Sequence, residues 1–201
     1  MKYAAALFIA LLMLALPACS MQTGSPVQAA TSLPAASVSP SPLPSATTPE
    51  AAATPAALNE SDLDFTLDGV AYKLKTDAKP LLGALGESYE LTAAPSCLYV
   101  GEDKTFAYPD ISISTFPIED KDIIDEIDLL ADRFATNRGI KIGDTLDQIK
   151  AAYGSDYTDD GVLVTYWLGG DSTNLKSPQL YFEMTDGKVS TIGLYSASNI
   201  Q

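Results

Sequence analysis

Between residues 70 and 197 the chain repeats a pattern, and an internal repeat limits the possible folds more tightly than composition does. Tyr72-Lys73-Leu74-Lys75-Thr76 aligns with Ile140-Lys141-Ile142-Gly143-Asp144, and Gly86 and Gly154 follow ten residues after Thr76 and Asp144. Between them Leu81, Ala84 and Leu85 match Ile149, Ala152 and Tyr153. Further on, Pro109 to Ile113 matches Pro178 to Phe182, and Ile127 to Leu130 matches Ile192 to Tyr195. The alignment predicts two copies of one unit, at about 70–131 and 138–197.

Each copy begins as a helix and continues with period two. Asp144 is expected to cap a short helix to Tyr153, with Asp147 near its positive end and Gly154 supplying the left-handed stop. That helix buries Leu146, Ile149, Ala152 and Tyr153. The first copy, Thr76 to Leu85, is a weaker helix former, since Pro80 fits only a first turn and Gly83 lowers propensity. Ile111 and Ile113 alternate with serines, and Leu180, Phe182 and Met184 alternate with Tyr181, Glu183 and Thr185, as strands with one covered face do. Val162 to Leu168 reads as another strand. Asp68-Gly69 and Asp186-Gly187 are two-residue hairpin turns. Asp122 to Leu130 is compatible with helix or strand, and the repeat assigns Glu126 to Leu130 to a strand.

The expected fold class is α+β: two tandem helix-plus-antiparallel-meander units forming a sheet with helices on one face. Ile140 to Gly154 resembles the helical motif of the β-lactamase inhibitory protein and of SmpA/OmlA-type lipoproteins, in which a short helix ending in glycine precedes a meander. Ser96-Cys97, Gly101, Asp103-Lys104, Tyr108-Pro109 and Ile140 to Gly154 together resemble a group of lipoproteins from Gram-positive bacteria of the clostridial type. The resemblance implies a fold and an anchor, and brings no substrate with it.

Upstream of the repeat stand two segments that do not read as domain. Residues 1–18 carry Lys2, an apolar run from Ala4 to Leu16 and a small residue, Ala18, before Cys19, which is the layout of an export signal. Leu16-Pro17-Ala18-Cys19 resembles a bacterial lipobox, which implies a diacylglyceryl group on the Cys19 sulfur, cleavage before it, and attachment to the outer face of the cell membrane. Two or more acyl chains make such an anchor slow to release. Unmodified, Ala18 is an ordinary secretory cleavage site and the product a soluble exported protein. From Cys19 to residue 60 the chain is mostly Ala, Ser, Thr and Pro, too poor in large apolar groups to offset ordering entropy, and reads as a tether of at most ~120 Å. Residues 61–201 are the globular domain.

Twelve basic residues stand against 26 acidic ones, with no histidine and a net charge of -14. A polyanion releases no counterions from phosphates, so nucleic-acid partners are excluded on the electrostatics that usually dominate such binding. Without histidine there is no triad and no ordinary zinc site, and neither a phosphate-cradling glycine loop nor a nucleophile elbow is present. With Cys19 assigned to lipid, Cys97 has no partner in the chain. Its expected place is the interior, as a small apolar residue, with intermolecular pairing as the other possibility.

Three features bear on chemistry. Asp156, Thr158 and Asp160 before Gly161 have the opening spacing of a calcium loop, yet Trp167 occupies the position of the bidentate carboxylate, and a turn into a strand explains the same residues. The acidic run Glu119, Asp120, Asp122, Asp125, Glu126 and Asp128 reads as a solvated surface, with a carboxylate pair for glycoside hydrolysis as the alternative. Finally, if Ile111, Ile113, Leu180 and Phe182 face the helices, alternation sends Tyr108, Phe116 and Tyr181 to the other side, where Trp167 and Tyr195 join them. Large rigid aromatics on an open sheet have the form of a contact surface, although they also suit a second small core. The expected function is therefore a membrane-anchored, non-catalytic module for an envelope protein or cell-wall glycan, without cofactor; the alternative is a carboxylate- or metal-dependent hydrolase of envelope polymers.

Overall fold

Period-two segments pair into an eight-stranded antiparallel sheet in the computed structural model, which describes Pro55 to Ser198. The expected signal peptide, Cys19 and the tether as far as residue 54 lie outside the described residues. The first elements of the described part are a short 3-10 turn, Glu60–Leu63, and a hairpin of β1 (Asp64–Leu67) and β2 (Val70–Lys73). Then come α1 (Lys79–Leu85), β3 (Glu90–Pro95), β4 (Glu102–Ala107), β5 (Ile111–Ile118) and β6 (Lys121–Leu129). After α2 (Leu146–Tyr153) follow β7 (Thr158–Asp159), β8 (Leu163–Trp167), β9 (Gln179–Thr185) and β10 (Lys188–Tyr195). The strand order is β3-β4-β5-β6-β10-β9-β8-β7, so the last strands of the two meanders, β6 and β10, pair along the centre. With two α-helices among the described residues beside an antiparallel sheet, the class is α+β.

Both helices reach the sheet in the same manner. Lys75 N and Ile124 N donate to Ile124 O and Thr76 O, and Gly143 N and Val189 N donate to Val189 O and Asp144 O. Each helix stops at a glycine of positive φ, Gly86 at 86° and Gly154 at 87°, a conformation costly to any residue with a Cβ. The Tyr108 hydroxyl donates to Gly86 O at 2.9 Å, and the Tyr166 hydroxyl to Gly154 O at 2.8 Å. Leu81 of α1 and Ile149 and Tyr153 of α2 pack on one face of the sheet, in a single core with Phe106, Ile111, Ile113, Ile127, Leu129, Val164, Tyr166, Leu180, Phe182, Ile192 and Leu194.

Several boundaries differ from expectation. α2 is capped by Thr145, whose side chain accepts from Gln148 N while the Gln148 side chain accepts from Thr145 N; Asp144 instead accepts from Lys141 N. α1 begins at Lys79, because Pro80 is accommodated only in its first turn. The ambiguous acidic stretch is strand as far as Leu129, as β6, and Leu130 lies just beyond it. The folded part also starts before residue 61: Leu58 is buried, and Arg138 donates to the carbonyls of Ala56 and Ala57. The same guanidinium donates to both Asp62 oxygens and to Ala152 O, which employs all five of its N–H groups, and it lies 4.7 Å from the Tyr153 ring centre.

Candidate binding face

Alternation along the strands assigns a second set of side chains to the face away from the helices. Cross-strand register lines them up as Thr105, Ser114, Glu126, Tyr195, Gln179 and Trp167 in one row and Ser112, Asp128, Gly193, Tyr181 and Thr165 in the next. Most are half-buried, as on a polar sheet surface over which no layer of the described residues packs. Trp167 and Tyr195 stand one register position from Gln179, and Trp167 Nε1 donates to Thr158 Oγ1 at 3.3 Å.

One aromatic departs from the expected arrangement. Tyr108 faces the helices, buried against Tyr89 with its hydroxyl on the end of α1. Alternation does not carry through the turn at Pro109-Asp110, where Tyr108 N donates to Ile111 O and the two residues meet across a tight reversal. Phe116 is on the face away from the helices but is buried there, because Tyr99 of the β3–β4 loop stacks on it at 4.9 Å and 20°. Burial also raises the Tyr108 hydroxyl above its ordinary range.

The acidic run is not a uniformly solvated surface. Asp122 pairs with Lys104, and Asp125 is buried with the Ser196 hydroxyl donating to it. Glu126 and Asp128 sit side by side on the face, with Tyr181 Oη 2.8 Å from Glu126 Oε1 and 2.7 Å from Asp128 Oδ1. A phenol has one hydrogen, so both contacts are hydrogen bonds only when one carboxyl is protonated and donates back. The electrostatics agree: desolvation first and the Asp128 charge second push Glu126 up to about 7, and desolvation raises Asp128 as well. Tyr181 is raised by burial and by both carboxylates.

Beside Glu126 a cleft of about 410 Å³ opens between the β3–β4 loop and the sheet. Its walls include Cys97, Tyr99, Asp103, Ser114, Phe116, Asp125 and Glu126. Cys97 is exposed there, contrary to its expected burial, because the loop that carries it turns over the sheet edge: Ser96 Oγ accepts from Leu98 N and Tyr99 N. Neither the cleft nor the contact of Tyr181 with both carboxyls was anticipated from sequence. The one available signal was a pair of acids at an i,i+2 spacing within a stretch that strand pairing would bury.

The calcium-like residues form a turn. Asp160 Oδ1 accepts from Val162 N and Leu163 N, which holds its carboxyl below the usual range, Asp159 Oδ1 accepts from Gly161 N, and Thr158 is taken by Trp167. Among the described residues no group of three or more acidic or cysteine side chains is placed to hold a metal ion.

No known family matches the chain, and no curated protein matches it. Among solved structures it is similar to the uncharacterized protein yfeY from Escherichia coli, at 16% identity and a TM-score of 0.38, covering 63% of this chain and 92% of that one.

Proposed function

We propose that this chain is an exported, lipid-anchored module of the cell envelope that binds a protein or cell-wall glycan through the sheet face opposite its helices. The observation that carries the reading is that face itself: Trp167 and Tyr195 half-exposed in one row beside the acid pair and a cleft of about 410 Å³. Aromatics of this kind supply contact energy while tolerating partial solvation. The anchor rests on the apolar leader and the lipobox-like Leu16-Pro17-Ala18-Cys19. Capture of partners from envelope extract by the native protein, compared with Trp167→Ala and Tyr195→Ala, tests the face. Equal capture by both variants would refute it. Intact mass of the protein recovered from membranes tests the anchor, the expected product beginning at a diacylated Cys19.

We also read the domain as two tandem helix-plus-meander copies joined through β6 and β10. Supporting this are the paired backbone bonds that dock each helix, the two glycine stops, and the Tyr108 and Tyr166 hydroxyls on equivalent carbonyls.

A hydrolase is the second reading, favoured by one observation, the neighbouring Glu126 and Asp128 carboxyls bridged by the Tyr181 hydroxyl. Release of soluble fragments from purified cell-wall glycan, abolished in Glu126→Gln, would establish it.

A further inference from the structure

We propose that the cleft between the β3–β4 loop and the sheet is a binding site for an organic ammonium group, with Glu126 as its counter-ion and the Tyr99–Phe116 stack as its aromatic wall. The inference deepens the open-face reading and rests on it. Volume comes first: about 410 Å³ is within the range of small-molecule sites and ample for an amine-bearing group. Tyr99 and Phe116, whose rings stack at 4.9 Å, both line the cleft, and an aromatic face left open by such a stack attracts a cation through its quadrupole.

The charge around the cleft is unbalanced. Asp103, Asp125 and Glu126 line it, and none forms an ion pair among the described residues. Lys104, also on the wall, is held by Asp122 at 2.9 Å. Lys75 acts on Asp125 only at longer range, and Asp103 opposes it. Around Glu126 the facing groups are Asp128, Tyr181, Asp125 and Glu183, all acids or a phenol. In the free protein a proton on Glu126, held more tightly than by an isolated glutamate, relieves this crowd. A cation in the cleft relieves it instead: the ammonium enters, Glu126 releases its proton to solvent, and the Tyr181 hydroxyl donates to the Asp128 carboxylate while the incoming N–H groups donate to Glu126.

Binding therefore competes with the proton on Glu126, which is pushed up to about 7. Between pH 6 and pH 8 the ionised fraction of such a group rises about tenfold while an alkylammonium stays charged, so affinity is expected to rise about tenfold over that interval.

The test is calorimetric titration of the full chain with 2-phenylethylammonium and, separately, with N-acetyl-lysine amide, using 2-phenylethanol as the uncharged control. Saturable binding of either ammonium, at least tenfold tighter than the alcohol and weakened at least tenfold in Glu126→Gln, supports the proposal. The two ammonium ligands distinguish a free aromatic amine from a lysyl side chain of a polypeptide. No saturable binding of either, equal binding of the alcohol, or unchanged binding in Glu126→Gln overturns it. Should Glu126→Gln fail to fold, Tyr99→Ser in the loop decides, since it removes half of the stack and is expected to weaken ammonium binding by about threefold or more. Capture through Trp167 and Tyr195 is scored independently, so lost ammonium binding with retained capture rejects the cleft alone.

Discussion

The ring of Tyr181 lies across Gly193, so close that a Cβ on residue 193 would stand 1.9 Å from Tyr181 Cζ. The absence of a side chain at that point on β10 is what lets the phenol reach over the central strand pair to Glu126 and Asp128. Gly193→Ala is expected to cost ~1–3 kcal/mol, as overpacking does, by forcing the ring off the sheet. In a Tyr181→Ala background the same change should cost under ~0.5 kcal/mol, and urea denaturation of the four proteins measures the coupling. Equal costs in both backgrounds would show that the ring is not what the glycine accommodates.

Stability should fall as pH rises toward neutrality. The folded protein holds the Glu126 proton more tightly than the unfolded chain, since its value is raised to about 7 by desolvation and by Asp128. This contribution is complete below the unfolded value of ~4.3 and is lost as pH climbs through about 7. Allowing for solvent screening of a half-buried group, the loss is ~1–2 kcal/mol. Asp128 is raised too and acts in the same direction. Thermal melts at pH 5 and pH 8 should therefore differ more for the native protein than for Glu126→Gln, and parallel shifts would contradict the assignment.

Arg138 closes the start of the domain onto α2, with every guanidinium N–H bonded. Asp62 is 3% exposed, so Arg138→Ala leaves a buried carboxylate without its cation and should destabilise by ~3–5 kcal/mol. Arg138→Lys should recover only part of that, because a lysine cannot supply the planar fork. Recovery to native stability by lysine, measured in the same denaturant series, would rule out the geometric role.

Tyr108→Phe and Tyr166→Phe each remove one hydroxyl from the carbonyl of a helix-ending glycine. Each should cost ~1 kcal/mol, and the double variant their sum, because the two hydroxyls share no partner. A tertiary coupling above ~0.5 kcal/mol in the double variant would show that the halves are not energetically independent at these points.

Features governed by neighbours in the chain were legible in advance. The turns at Asp68-Gly69 and Asp186-Gly187 have positive φ at both residues, as a two-residue hairpin requires. The inward facing of Ile111, Ile113, Leu180 and Phe182 follows from alternation alone. β3 gave no such signal: all six of its residues are exposed, and it is a strand because it adds to the edge of β4. Tyr108 was misplaced because periodicity loses its phase at a turn.

Local sequence thus determined the short helices, their glycine stops, the tight turns and the apolar stripes of β5 and β9, because capping, left-handed conformations and side-chain alternation depend on residues a few positions apart. The acid pair, its contact with Tyr181 and the cleft belong to tertiary structure. Glu126 and Asp128 meet Tyr181 across separations of 55 and 53 residues, and only the pairing of β6 with β10 and of β10 with β9 brings them together. Desolvation is a property of that assembled face, and no pattern in the acidic run by itself could have distinguished these carboxyls from their solvated neighbours.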